Sequence, residues 1–97
     1  MRSLKKIEEF RREASNALFT KEQAIVVATK LFELELSQPD LGENDRNVLE
    51  NALSRISLRY FDTTETETDA ILDAAGVARL TVNDIADAMD VMLFEAQ

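Results

Sequence analysis

The sequence of 97 residues contains no cysteine, no histidine and no tryptophan. Without cysteine the chain forms neither a disulfide framework nor a thiolate metal site, and it has no cysteine nucleophile. Without histidine it lacks the commonest general base of enzymes and the commonest metal ligand. We therefore expect no cofactor, no metal site and no enzymatic activity.

Helix-breaking residues and long apolar runs are also scarce. Two glycines and one proline favour long helices over many short strands. No apolar run approaches the roughly 18–20 residues that span a bilayer. The stretch MRSLKKIEEFRREAS mixes charged and apolar residues at helical spacing, unlike a signal peptide. We expect a single domain over residues 1–97 that is cytoplasmic and does not bind membranes.

Helical periodicity predicts an all-α fold. Apolar residues recur at three- and four-residue spacing through most of the chain. Capping patterns mark helix starts at Thr20, at either Thr64 or Thr66, and at Thr81. The second helix is apolar around more than half of its circumference, which is typical of a central helix, and the sequence shows no internal repeat. We predict a single compact bundle of about five helices, at approximately 4–18, 21–37, 45–61, 66–75 and 82–95.

The net charge of -8 is concentrated towards the C-terminal part of the sequence. Residues 60–97 contain Arg79 alone against nine acids, and the threonine-acid stretch DTTETETD, residues 62–69, is predicted to be a linker. The acids fall on the polar faces of the predicted helices. An acidic surface repels phosphate backbones and attracts basic partners in a salt-dependent manner. Nucleic acid is therefore an unfavourable partner, and a basic protein is a favourable one.

Four large apolar side chains lie outside the apolar faces of their predicted helices. Leu58 and Phe61 are on the third helix, and Val91 and Phe94 are among the acids of the last helix. An apolar patch with a charged rim is typical of a protein-binding surface, although neighbouring helices could instead cover these side chains. The candidate partner-binding residues are Leu58, Phe61, Asp84, Asp87, Asp90, Val91 and Phe94.

Residues 70–85, AILDAAGVARLTVNDI, resemble a helix-turn-helix with Gly76 in the turn. The pieces ILDAA and LTVNDIADAM are similar to the opening helices of TetR-type repressors, and this resemblance implies a DNA-binding regulator that uses residues 70–93. The second helix of the segment carries three aspartates and no lysine or arginine. Helices that read bases need cations beside the phosphates, so this sequence departs from the pattern where it matters for DNA binding.

The sequence therefore favours a small acidic protein that is not an enzyme and that binds a protein partner through its acidic C-terminal helices. Inhibitors, immunity proteins and phage or plasmid accessory factors often have this size and charge. A homodimer formed through the same patch is a further expectation, because the core of so short a chain is small. A DNA-binding regulator and a structural subunit of a larger assembly are the alternatives.

Overall fold

The computed structural model describes residues 4–97, which form five α-helices, one 3₁₀ helix and two short strands. The prediction of an all-α bundle of about five helices is confirmed. Within the described residues, none of the helices combines the length and the apolar character that crossing a bilayer requires. The elements in chain order are α1 (Lys5–Glu13), β1 (Leu18–Phe19), α2 (Lys21–Leu36), α3 (Glu43–Arg55), the 3₁₀ helix (Leu58–Phe61), α4 (Glu67–Ala74), β2 (Leu80–Thr81) and α5 (Val82–Ala96).

Helix α2 is a central helix of the bundle, as its sequence predicts. It contacts α1, α3, α5 and the 3₁₀ helix. Ala24 and Ala28 are fully buried, as is Phe32 one turn further along. The buried side of α2 is thus small in its first half and large in its second, and the alanines leave room for the neighbouring helices to approach.

Most of the chain consists of two similar units, each of which contains one of the two short strands. The first unit consists of α1, β1 and α2, and the second consists of α4, β2 and α5; α3 and the 3₁₀ helix connect them. Seven residues join the helices in each unit, ASNALFT in the first and AGVARLT in the second. The strands pair antiparallel, with Leu18 opposite Thr81 and Phe19 opposite Leu80. The structure therefore contains a repeated arrangement that is not apparent from the sequence, and the expectation of no internal repeat does not hold for the fold.

Equivalent capping boxes begin the long helix of each unit. The hydroxyl of Thr20 accepts a hydrogen bond from the backbone N–H of Gln23 at 3.2 Å, and the Gln23 side chain accepts one from the Thr20 N–H at 2.9 Å. Thr81 and Asp84 make the same two bonds at 3.1 and 2.8 Å. The helix starts predicted at Thr20 and Thr81 are therefore correct in position and in mechanism.

The offset of 61 residues between Thr20 and Thr81 also relates the buried positions of the two long helices. Each of the five buried positions of α2 corresponds to a buried position of α5. The two helices thus turn equivalent sides towards the core. The pairs are Ala24 with Ile85, Ala28 with Met89, Leu31 with Met92, Phe32 with Leu93, and Glu35 with Ala96.

Two helices end earlier than their sequences predict. Helix α1 ends at Glu13 instead of residue 18, because Ser15 and Asn16 lie in a turn, the structure that these residue types favour. Helix α3 ends at Arg55 instead of residue 61, because Ile56 turns to an extended conformation with ψ 125°. The chain then forms a separate 3₁₀ helix at Leu58–Phe61. The helical periodicity of α3 therefore does not predict which way the side chains of these residues point.

The segment that resembles a helix-turn-helix has a different structure. Seven residues, including strand β2, separate α4 from α5, whereas a helix-turn-helix has a turn of three or four residues. Gly76 lies at the start of this connection with a φ of 73°, a conformation that costs glycine nothing. None of the residues of α4 is buried. The prediction of a helix-turn-helix at 70–93 is therefore wrong.

One carboxylate lies in the core instead of on a polar helix face. Glu35 of α2 is 2% exposed. Its Oε2 atom accepts hydrogen bonds from the backbone N–H groups of Lys6, at 3.1 Å, and Ile7, at 3.3 Å. The first turn of a helix leaves such N–H groups without a partner inside the helix and favours negative charge. Glu35 therefore fixes the N-terminus of α1 to α2, and the expectation that the acids lie on polar faces is wrong for this residue.

Candidate protein-binding groove

A groove of about 410 Å³ lies among the 3₁₀ helix, the start of the linker to α4, strand β2 and helix α5. Residues from separate elements line it, because contacts between the 3₁₀ helix and α5, among them the Tyr60–Glu95 hydrogen bond, bring the linker beside α5. Its lining comprises Tyr60, Phe61, Asp62, Thr63, Glu65, Asp69, Arg79, Leu80, Asp84, Asp87, Ala88 and Val91.

The lining of this acidic groove has a strong excess of negative charge. Five of its residues are acids, two from the linker, one from the first turn of α4 and two from α5, and Arg79 is its one cation. Opposed carboxylates repel each other in the free protein and attract cations into the space between them. The five acids are Asp62, Glu65, Asp69, Asp84 and Asp87.

Helix α5 supplies one wall because its residues at spacings of three and four share a face. Asp84, Ala88 and Val91 follow one another along this face. The carboxylate of Asp84 is held in place by the capping box, where it accepts the Thr81 N–H at 2.8 Å. The predicted site residue Asp84 therefore has a structural role at the helix start as well as a place in the groove.

Arg11 of α1 binds the other two predicted acids of α5. Its Nη2 atom lies 2.8 Å from the carboxylate of Asp90 and 3.3 Å from that of Asp87. The Asp87 and Asp90 side chains are still 71% and 60% exposed. Arg11 thus joins α1 to α5 and compensates part of the negative charge, while both carboxylates stay open to solvent.

Lys21 of α2 approaches the linker side of the groove in a similar way. Its ammonium lies 2.6 Å from the carboxylate of Asp62 and 3.0 Å from that of Asp73. The hydrogen bond to Asp62 raises the pKa of Lys21 above its ordinary value of 10.5, against the opposing effect of burial. Glu65 and Asp69 make no ion pair with the described residues, and they are the acids most available to an incoming cation.

The 3₁₀ helix is attached to α5 at the edge of the groove. The hydroxyl of Tyr60 donates a hydrogen bond to the carboxylate of Glu95. The guanidinium of Arg59 lies 5.0 Å from the centre of the Tyr60 ring and donates to the Tyr60 hydroxyl, which raises the pKa of Arg59. These contacts fix Tyr60, and with it the start of the acidic linker, beside the C-terminal half of α5.

The structure exposes three of the four predicted apolar residues and buries the fourth. Leu58, Val91 and Phe94 are 43%, 48% and 79% exposed, respectively, whereas Phe61 is 1% exposed. The prediction that Phe61 is exposed is wrong, because the break after Arg55 changes the direction of the side chains that follow. Val91 lines the groove, and Phe94 lies one turn further along α5.

The linker acids are site residues that the sequence does not single out. Asp62, Glu65 and Asp69 belong to the stretch interpreted as a threonine-acid linker, and Arg79 precedes strand β2. The one feature of the sequence that could have indicated these residues is their position in its acid-rich part, residues 60–97. Their position beside α5 depends on tertiary contacts that no local pattern encodes.

The groove offers carboxylates at intervals instead of a converging ligand set. Among residues 4–97, no three aspartate or glutamate side chains come close enough together to hold a metal ion. Separated carboxylates beside an apolar border suit a chain of cationic groups, such as lysine and arginine side chains.

No protein-family model, no curated protein and no solved structure matches this chain.

Proposed function

We propose that this protein is a small binding protein without enzymatic activity, and that it holds a basic segment of a protein partner in the acidic groove. The observation that carries the proposal is the charge of the lining, five carboxylates against one cation. A volume of about 410 Å³ accommodates a few side chains of a peptide segment, and it is far too small for a folded domain.

The chemistry of the groove favours lysine and arginine side chains of a partner. Carboxylates accept two parallel hydrogen bonds from a guanidinium, and they attract cations over a distance of about 10 Å at moderate salt. Glu65 and Asp69 are open for such contacts, and Asp87 stays largely exposed despite its bond to Arg11. The affinity for a basic segment should therefore depend strongly on salt.

Exposed apolar side chains beside the groove supply a second kind of contact. Phe94 is 79% exposed, and Val91 borders the groove at 48% exposure. Aromatic side chains near charged rims often dominate the binding energy of protein interfaces. The partner segment is thus expected to carry apolar as well as basic residues, with the apolar ones packed on Val91 and Phe94.

The other partners expected from the sequence are less well supported by this surface. A second copy of the chain would bring two acidic grooves together, which is electrostatically unfavourable. DNA would meet the same repulsion from its phosphates. Binding in this groove would cover a basic segment of the partner and would thereby regulate the partner's activity.

A fluorescence-anisotropy experiment tests the proposal. The probe is a labelled peptide of about ten residues that alternates arginine and leucine, titrated with the full chain at 50 and 300 mM NaCl. We expect binding that weakens at least tenfold at the higher salt, because several ion pairs are screened. The double variant Glu65→Gln/Asp69→Asn should weaken binding at low salt by about 3- to 10-fold.

The matched control is Glu33→Gln/Asp45→Asn, which makes the same charge change outside the groove. Glu33 is exposed on α2, and Asp45 is the third residue of α3, as Asp69 is the third residue of α4. Equal weakening by the two double variants would show that only the net charge acts, and it would contradict the proposal. Absence of peptide binding at 50 mM NaCl would contradict it as well.

A further inference from the structure

A second groove, of about 440 Å³, lies where strand β1 runs into helix α2. Its surface is mainly apolar: Leu18 is 58% exposed and Val26 is 67% exposed. Exposed aliphatic side chains this close together are unusual on a surface that is otherwise rich in charge. The residues that line this apolar groove are Leu18, Phe19, Glu22, Gln23, Val26 and Val27.

The apolar groove and the acidic groove occupy equivalent places in the two units. The offset of 61 residues that relates Thr20 to Thr81 converts five of the six lining residues of the apolar groove into lining residues of the acidic groove. The fold thus builds the same concavity twice, once with aliphatic walls and once with carboxylates. The pairs are Leu18 with Arg79, Phe19 with Leu80, Gln23 with Asp84, Val26 with Asp87, and Val27 with Ala88.

The paired strands connect the two grooves. Leu18 of the apolar groove lies opposite Thr81, and Arg79 of the acidic groove comes two residues before Thr81. Phe19, which lines the apolar groove, pairs directly with Leu80, which lines the acidic groove, so both grooves adjoin the same two strands. Leu18 and its strand partner Thr81 are exposed, whereas Leu80 is 2% exposed, so the outer face of the ribbon carries Leu18 and Thr81.

We infer that the apolar groove is the second half of one docking surface, and that its occupant is a cluster of apolar side chains adjacent to the basic segment of the same partner. This inference rests on the proposed function, because the charge of the acidic groove determines which end of the segment lies on α5. The partner segment is therefore basic at one end and apolar at the other. It crosses the outer face of the β1–β2 ribbon.

Two labelled peptides that share a basic part test the inference on the full chain. The first peptide consists of four arginines alternating with serines, and the second carries the same part joined through a short glycine spacer to Leu-Phe-Leu-Val. We expect the second peptide to bind at least tenfold more tightly, which corresponds to about 1.4 kcal/mol. The substitution Val26→Ser should abolish this gain and leave the affinity for the first peptide unchanged.

The matched control is Ile71→Ser, which removes an apolar side chain of similar exposure (64%) on α4, outside both grooves. It should leave the gain intact, and circular dichroism should give the same helix content for both variants. A second peptide that binds no more tightly than the first, or a gain that survives Val26→Ser, would overturn the inference while the binding of the first peptide upholds the proposed function. Failure of both peptides to bind would overturn both.

A second copy of the chain is the competing occupant of the apolar groove. Sedimentation velocity on the free protein distinguishes it, because a dimer that Val26→Ser dissociates and Ile71→Ser does not would place the copies on this groove and overturn the inference. A wild-type chain that sediments as a monomer at the concentrations used for the peptide titrations supports it.

Discussion

The ammonium group of Lys21 lies 3.0 Å from the carboxylate of Asp73, and this ion pair joins the first turn of α2 to the last turn of α4. The two side chains are only 14% and 10% exposed. Helix α4 has no buried residue of its own. Its position beside the bundle therefore depends strongly on this pair, which links the two repeated units outside the strand ribbon.

Replacing Lys21 by methionine should loosen α4. The variant leaves Asp73 without its cation in a site that is largely shielded from water, so the free energy of unfolding should fall by about 1–3 kcal/mol. Hydrogen exchange should speed up most in residues Glu67–Ala74. Lys30→Met on the exposed side of α2 is the control and should change stability by less than about 0.5 kcal/mol. Unchanged exchange in α4 would contradict the role of the pair.

The same lysine makes stability depend on pH in the alkaline range. The hydrogen bond to Asp62 raises the pKa of Lys21 in the folded protein above the value of 10.5 that it has when unfolded. The stabilisation is therefore complete below pH 10.5 and is lost as the pH rises through the folded pKa. We expect the difference in unfolding free energy between the wild type and Lys21→Met to be constant from pH 7 to 9 and to shrink above pH 10.5. A difference that grows with pH would refute this assignment.

Removal of the buried carboxylate should destabilise the attachment of α1. Glu35→Ala leaves the Lys6 and Ile7 N–H groups without this acceptor, and we expect a loss of about 2–3 kcal/mol in urea unfolding. Glu35→Gln keeps an acceptor oxygen but loses the charge, so its effect should be smaller. Glu33→Ala, at an exposed position of the same helix, serves as the reference and should change stability little. Equal stability of Glu35→Ala and Glu33→Ala would be inconsistent with this hydrogen bonding.

Two phenylalanines that the sequence places in one surface patch should respond to mutation in opposite ways. Phe61→Ala removes a fully buried ring, and we expect a loss of about 3–5 kcal/mol in unfolding free energy. Phe94→Ala should change stability by about 0.5 kcal/mol or less, because its ring is exposed. In the anisotropy assay with the arginine–leucine peptide, Phe94→Ala should weaken binding several-fold. Wild-type affinity in this variant would exclude Phe94 from the binding surface.

Local patterns in the sequence predict where the long helices begin. The capping box of Thr20 involves only Thr20 and Gln23, and that of Thr81 involves only Thr81 and Asp84. These bonds form between groups three residues apart, so the local sequence contains everything that they need. The start of each long helix and the central place of α2 are therefore predictable from the sequence alone.

The position of Phe61 and the existence of the groove are not predictable in this way. Phe61 is buried because the chain breaks after Arg55 and packs again as a 3₁₀ turn, and packing against distant residues overrides helical periodicity. In the groove the linker lies beside α5, and this position depends on contacts between the 3₁₀ helix and α5, such as the hydrogen bond from Tyr60 to Glu95. The repeat is faint in the sequence because only three of seven residues are identical between the two connections: Ala14 with Ala75, Ala17 with Ala78, and Thr20 with Thr81.

No flexible linker separates the strand ribbon from the two long helices, α2 and α5. Thr20 follows directly on Phe19, and Thr81 is at once the last residue of its strand and the cap of α5. A change in the tilt of one helix is therefore expected to pass through the paired strands to the other helix. A segment that binds in the apolar groove beside α2 is expected to change the width of the acidic groove beside α5. Binding at one end of the segment would therefore affect binding at the other end.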